Sequence, residues 1–410
     1  MVACSNKVVL FGVKQNSCQF VLLIIVNALV GALLGLERTH IPAWADWHFG
    51  INQHTYILSF IAVFGFFKAI TNLTTGFLMT RYSRKTILVA GWLVAFPIPF
   101  LLSFQSGWGI MLVANALLGI QQGLTWSTTV VMKMDIVNNK QRGLAMGLNE
   151  FAGYFALAIS AWLIGQQSVF DYETLFPILP AFIIIITGLL MSVIFINDTQ
   201  PHVDLSIQQA SPLTHITNPF KQTTFNNPTL RTFTQVGFVN NLNDGLMWGL
   251  LPALCWSYQF GQSKLALLAG LYPAVWAIGQ LITGPWSDKF DKGLLLFVGM
   301  LMQAFAIAGL ASFNSYPLAI SFVVILGFGT ALVYPTCLTG IAAHSHPSNR
   351  AQSLGVYRFW RDFGYVVGAL LTGLIADAYN ISTALLVVAF ITLSSGIYAV
   401  YTQKKFKLKL

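Results

Sequence analysis

The sequence predicts an all-α polytopic membrane protein with twelve transmembrane helices in two six-helix bundles. Three observations predict it. The 410 residues are 56% hydrophobic and only 9% charged, where soluble chains carry about a quarter charged residues. The apolar residues fall in long runs, each near the roughly 20 residues that a helix needs to cross a bilayer. Matching residues recur 208 positions apart over several of these runs, which points to a duplicated half.

In chain order the first six runs cover roughly 17–40, 53–79, 86–104, 108–132, 143–166 and 175–196. Lys7 and Lys14 precede the first. That run continues past the length of a signal-peptide core, so it reads as a retained span. The last six runs cover roughly 231–257, 264–287, 293–313, 316–343, 351–376 and 381–402. Between the two sets lies a polar stretch with Pro201, Pro212, Pro219 and Pro228, which reads as a linker. The expected organisation is an N-terminal bundle over 1–196, a cytoplasmic linker over 197–230 and a C-terminal bundle over 231–410.

Lys and Arg set the orientation. With the N-terminus inside, seventeen of the 22 fall on cytoplasmic segments, Lys133, Lys140, Arg142 and Arg350 among them. Only Arg38 and Lys264 lie outside, and Lys68, Arg358 and Arg361 fall within spans. This bias predicts that both termini are cytoplasmic. It also accounts for the net charge of +9 without a nucleic-acid partner. The four cysteines show no metal or redox spacing and predict no disulfide framework.

The repeat pairs Leu118-Gly119 with Leu326-Gly327, Trp126 with Tyr334, Thr128 with Thr336, Arg142 with Arg350 and Gly147 with Gly355. Gly76 pairs with Gly284 and Arg81 with Lys289. Six spans separate the copies, so both halves start on the same side. The repeat is parallel, about an axis along the membrane normal.

Two loops carry a family resemblance. GFLMTRYSRK runs from Gly76 to Lys85, and GPWSDKFDKG from Gly284 to Gly293. Both resemble the Gly-x-x-x-Asp-Arg-x-Gly-Arg-Arg loop of the major facilitator superfamily. The resemblance implies a secondary transporter that works by alternating access. It also implies gating loops here: Gly76, Arg81, Arg84 and Lys85 in the first copy, Gly284, Asp288 and Lys289 in the second. The first copy departs from the pattern at Thr80, where the acid is expected, and at Ser83, where Gly is usual. The same basic residues would serve equally as topogenic charge. The fifth span has no Pro, unlike the Gly/Pro-rich run of many proton-exchanging drug exporters.

The resemblance places a substrate site near the midplane, so polar residues at that depth are candidates. Glu150 follows Arg142 by eight residues, about 12 Å into the membrane. Its repeat partner is Arg358, which sets an acid and a base at equivalent depth in the two halves. Glu150, Asp244 and Asp362 are the expected proton-coupling acids, because charge at such depth normally marks a pathway or a relay. The expected substrate-binding residues are Asn27, Gln121, Trp126, Asn149, Tyr154, Asn240, Asn241, Asn243, Trp248, Tyr357, Arg358 and Arg361. The two arginines favour an anionic or zwitterionic solute, since a guanidinium grips a carboxylate or phosphate with two bonds. A structural pair between Asp362 and one of the arginines is the competing reading. The three Asn would serve equally as inter-helix glue. The stretch from Asn240 to Gly245, with Pro252 beyond it, suggests a locally unwound or kinked helix. Lys68 either snorkels to the cytoplasm or pairs with Asp244, Asp362 or Glu150.

Glu37, Arg38, His40, Asp46, His48 and His54 match no compact ligand motif. No metal is expected there, and Trp44 and Trp47 read as an interfacial belt. No phosphate-binding, nucleophile-elbow or dinucleotide fingerprint is present. The chain therefore reads as no enzyme and as needing no cofactor. Its expected partners are a small-molecule substrate, protons or another coupling ion, and the bilayer of a bacterial inner (plasma) membrane, in which it acts as a monomer. Rival readings are a passive uniporter of a neutral solute and a transporter-like solute receptor.

Overall fold

A computed structural model describes residues 9–47, 54–103, 107–166, 178–210 and 218–407. The side chains of residues 37–58 lie outside that description, and with them the Glu37–His54 set and its tryptophans. The described residues are helical, with no strand among them. They fall into two compact units, one formed by 1–138 with 149–212 and the other by 139–148 with 213–410.

The first unit holds α1 (Ser17–Trp47), α2 (His54–Leu78), α3 (Arg84–Ala95), α4 (Ile98–Ser103) and α5 (Trp108–Ile136). It also takes most of α6 (Arg142–Gln166), then α7 (Ile178–Ile194) and the linker helix α8 (Gln200–Gln209). α5 is its centre, packed by α1, α2 and α3. From Leu118 to Ile136 almost every α5 residue is buried, polar ones included. Glycines set the close approaches. A Cβ on Gly31 of α1 would run into the Gly153 carbonyl of α6, and one on Gly153 would strike the Trp126 ring. α7 turns Leu179, Ile183, Ile186 and Leu190 outward, an apolar face suited to lipid.

The second unit holds the short turn α9 (Pro219–Lys221), α10 (Pro228–Ser257), α11 (Gln262–Lys289) and α12 (Lys292–Ser312). α13 (Tyr316–Ala343), α14 (Arg350–Ala378) and α15 (Ile381–Lys407) complete it. α10 lies along α14, where Gly245, Gly364 and Gly368 leave room for the opposing backbone. Helix starts follow side-chain caps: Asn227 accepts from the Thr229 and Leu230 amides, and Asp291 from that of Leu294. α10 runs unbroken through Asn240–Gly245 and Pro252. The expected unwinding is absent there, because the Asn side chains bond sideways to neighbouring helices instead of competing for the α10 backbone. Cys255 and Cys337 are free and buried, but Cys18 is disulfide-bonded, which corrects the expectation of none.

Eight helical stretches of the described residues are long and apolar enough to cross a membrane, from Ser17–Leu36 to Ile381–Gln403. α5, α10 and α14 are longer than most of these but more polar, and they contribute polar residues to the candidate site.

Candidate functional site

In the first unit a hydrogen-bonded ladder joins α1, α5 and α6. Glu150 is 1% exposed. Its Oε1 accepts from Trp126 Nε1 at 3.0 Å and from Asn149 Nδ2 at 2.7 Å. Oε2 is buried with no hydrogen-bond partner among the described residues. Asn27 Nδ2 donates to the Asn149 carbonyl, and Thr129 Oγ1 donates to Asn27 Oδ1. Tyr154 meets the Trp126 ring edge-on, with centroids 5.5 Å apart. Lys68 also approaches that ring, its Nζ 5.5 Å from the Trp126 centroid and 5.3 Å from that of Phe64. This is a cation–π setting for a buried ammonium. Five sequence-predicted residues, Asn27, Trp126, Asn149, Glu150 and Tyr154, thus share one cluster. Gln121 stands apart from these bonds: its amide donates to Thr125 within α5. Lys133, grouped from its sequence position with the cytoplasmic cations, is fully buried and donates to the Leu23 carbonyl of α1 at 3.0 Å. Its place in the last turn of α5 concealed this.

In the second unit the cluster spans α10, α11, α13 and α14. Arg361 Nη1 lies 3.0 Å from Asp362 Oδ1, and its guanidinium sits 4.3 Å above the Tyr334 ring. Tyr334 meets Trp276 edge-on, and Trp276 stacks obliquely on Tyr272. Tyr272 interacts with Asp244 and Thr330, while the buried Tyr357 hydroxyl has no hydrogen-bond partner among the described residues. Arg358 is 1% exposed, and none of its three guanidinium nitrogens has a hydrogen-bond partner among the described residues. Gln280, fully buried one turn from Trp276, likewise leaves both ends of its amide without one. Tyr272 and Trp276 were missed from the sequence, because α11 reads as an ordinary apolar span, and Gln280 was overlooked.

Asn240 and Asn243 belong to a separate network. Asn243 donates to Gln303 Oε1, Gln303 donates back to Asn240, and Thr392 donates to Asn243. These bonds tie α10 to α12 and α15. Asn241 is buried nearby in sequence, with Oδ1 lacking a partner. Trp248 is only half-buried.

The two resembling loops differ in their contacts. Gly76 is buried, Arg81 is exposed, and Ser83 caps α3 by accepting from Thr86, which explains a Ser where Gly is usual. Arg84 pairs with Asp135 of α5 and bonds to Gln200 of α8, while Lys85 Nζ donates to the Val193 carbonyl. In the second copy Asp288 accepts from the Gly143 and Leu144 amides at 2.7 and 3.0 Å. It thereby caps the N-terminus of α6. Gly284 packs against Gly143 and Gly147, and Lys289 is exposed.

A family model described as Major Facilitator Superfamily matches residues 17–241 and 233–409. The proton-coupled antiporter flippase LtaA of Staphylococcus epidermidis is 22% identical over 379 residues, 89% of each chain. Its namesake in Staphylococcus saprophyticus is 24% identical over 373 residues, 87% of each. Among solved structures, a human organic anion transporter matches with a TM-score of 0.75 at 15% identity, over 93% of this chain and 99% of the other. The fucose:proton symporter of Escherichia coli matches with a TM-score of 0.69 at 15% identity, over 93% and 98%. The chain belongs to the major facilitator superfamily: it is a transporter, a multi-pass protein of the plasma membrane.

Proposed function

We propose that this member of the superfamily is a proton-coupled secondary active transporter of a small organic solute carrying an anionic group. The observation that carries the reading is Arg358, a guanidinium 1% exposed whose nitrogens have no hydrogen-bond partner among the described residues. An unpaired buried charge costs several kcal/mol, and a carboxylate or phosphate of the substrate would remove that cost. The Gln280 amide and the Tyr334–Trp276 wall would orient the remainder of the solute. Glu150, with one oxygen held and the other open, is the coupling acid, and Asp244 and Asp362 are its candidates in the second unit. The relatives and similar structures include proton-coupled carriers and an organic anion carrier, which agrees with this reading.

The proposal includes the topology read from the sequence: twelve spans, a parallel repeat of two six-helix bundles over 1–196 and 231–410, and both termini inside. The basic loops support it. Gly76, Arg81, Arg84, Lys85, Gly284, Asp288 and Lys289 would steady the cytoplasmic ends during rocking, and the protein would act as a monomer.

A thermal-shift screen of the purified protein against organic anions, zwitterions and neutral sugars tests the substrate class. Stabilisation by an anion that disappears in Arg358→Gln supports the reading, whereas stabilisation by a neutral solute in both proteins overturns it. Uptake of the hit into proteoliposomes under a pH gradient tests coupling. Glu150→Gln should abolish accumulation against the gradient, and accumulation with wild-type proton dependence would refute the assignment of Glu150.

A further inference from the structure

Gln280 of α11 is fully buried, and neither end of its amide has a hydrogen-bond partner among the described residues. Gln303, buried as completely in the same unit, has both ends met: its oxygen accepts from Asn243 and its nitrogen donates to Asn240. The unmet amide is thus a property of the Gln280 position and not of buried glutamines in this unit.

Its neighbours fix its level. Gly279 and Thr283, on either side of it in sequence, both seat on Ala331 of α13. A Cβ on Gly279 would press on the Ala331 methyl, and Thr283 Oγ1 donates to the Ala331 carbonyl at 2.6 Å. Gln280 therefore lies level with the turn from Ala331 to Tyr334, whose ring carries Arg361 at 4.3 Å. Trp276, one turn away on the same side of α11, meets Tyr334 with ring centroids 6.1 Å apart. The Gln280 carbonyl abuts Gly147, where a Cβ would collide with it. With its backbone packed on both sides, the residue cannot carry its amide elsewhere.

The two ends of an amide ask for opposite partners: the nitrogen must donate and the oxygen must accept. A carboxylate serves only the nitrogen, an ammonium only the oxygen, and an apolar group neither. Two neighbouring hydroxyls serve both, one accepting from Nε2 and the other donating to Oε1. We propose that the solute is a polyhydroxylated organic anion, its acid group on Arg358 and a pair of vicinal hydroxyls on Gln280, and that Gln280 is the residue that selects for those hydroxyls. The inference rests on the reading of Arg358 as the anion-binding group. A buried amide left unmet is costly, so a site built this way rejects an analogue without hydroxyls far more strongly than an apolar pocket rejects one that has them.

Thermal unfolding of the full-length protein in detergent tests this with matched anions: glucuronate against cyclohexanecarboxylate, and gluconate against hexanoate. In the wild type the hydroxylated member of a pair should stabilise at a concentration at least about tenfold lower than its partner. Gln280→Met, a side chain of similar reach, should erase that preference. Its midpoint without anion should not fall, because the variant removes an amide that bonds to nothing. Equal responses to both members of each pair in the wild type overturn the hydroxyl class, and that comparison needs no variant. A preference that persists in Gln280→Met, or a lower midpoint in its absence of anion, overturns the role of Gln280. Should Gln280→Met fail to fold, Gln280→Leu serves the same comparison. Failure of the Arg358 reading looks different: no anion of either pair stabilises the wild type, or stabilisation survives Arg358→Gln. Stabilisation by both members that is lost in Arg358→Gln keeps the anion site and refutes the hydroxyls alone.

Discussion

Arg84 Nε on α3 lies 3.4 Å from Asp135 Oδ2 at the end of α5. The loop between α2 and α3 has Thr80 where its family pattern has an acid, and Thr80 only bonds back to the Phe77 carbonyl. The carboxylate for Arg84 comes from another helix. Asp135 is also bound by Thr199 Oγ1, and Arg84 reaches Gln200 and the Met79 carbonyl. The pair therefore fastens the loop to the start of α8 as well as to α5. Its side chains are 6% and 3% exposed, so removing one partner leaves a buried charge. Asp135→Asn should lower stability by about 3 kcal/mol, read as a fall in the thermal midpoint in detergent. Asp198→Asn, at a half-buried site, should cost under about 1 kcal/mol.

Asp288 does a different task with similar chemistry. It holds two amides at the start of α6, positions where a helix leaves its N–H groups without internal partners. Asp288→Ala should cost about 1–2 kcal/mol. Hydrogen exchange of the Gly143 and Leu144 amides should accelerate selectively. Asp288→Asn keeps an acceptor oxygen and should slow that exchange relative to Asp288→Ala.

His202 gives the linker a pH dependence. It lies in α8, half-buried, with the Phe11 ring edge-on at 5.7 Å. Burial lowers its pKa from 6.5, and the Leu10 backbone opposes the shift. The packed state therefore favours the neutral ring. The stability of this contact is complete above the unfolded value and is lost as the pH falls through the lowered folded value. Hydrogen exchange over residues 9–16, corrected for intrinsic rates, should show less protection at about pH 5 than at about pH 7.5. His202→Phe should remove the difference.

Much of this was legible in the sequence because lipid imposes simple rules. Charge at mid-depth needs a reason, so Glu150, Arg358, Arg361 and Asp362 stood out by position alone. Asn27, Trp126, Asn149 and Tyr154 followed from depth, and they do meet around Glu150. Depth cannot report rotation about the helix axis. Asn240 and Asn243 share the depth of Asp244, yet they turn to Gln303 and Thr392. Lys133 shows the reverse failure. Three residues from the helix end it looked solvated, but it is fully buried there and reaches the Leu23 carbonyl of α1. Gln280 meets the same criterion as Gln121, a polar side chain inside a span, and was overlooked; Trp276 gave no signal, since a Trp in an apolar run suits a lipid-facing helix equally well.

Arg358 and Arg361 stand one turn apart on α14, and their settings differ. Arg361 has Asp362 at 3.0 Å and the Tyr334 ring beneath it. Arg358 is as deeply buried, with no hydrogen-bond partner among the described residues. For a paired charge, loss of the arginine strands the carboxylate; for an unpaired one, it relieves an unmet desolvation cost. Arg361→Met should therefore destabilise the protein by about 3 kcal/mol, and Arg358→Met, an apolar side chain of similar reach, should stabilise it by about 1–3 kcal/mol. If Arg358 is kept for its ligand, the same substitution should abolish stabilisation by organic anions, a trade of function against stability. Thermal unfolding of both variants, with and without anion, separates the cases. A destabilised Arg358→Met that still responds to the anion would mean that Arg358 holds the fold and not the solute.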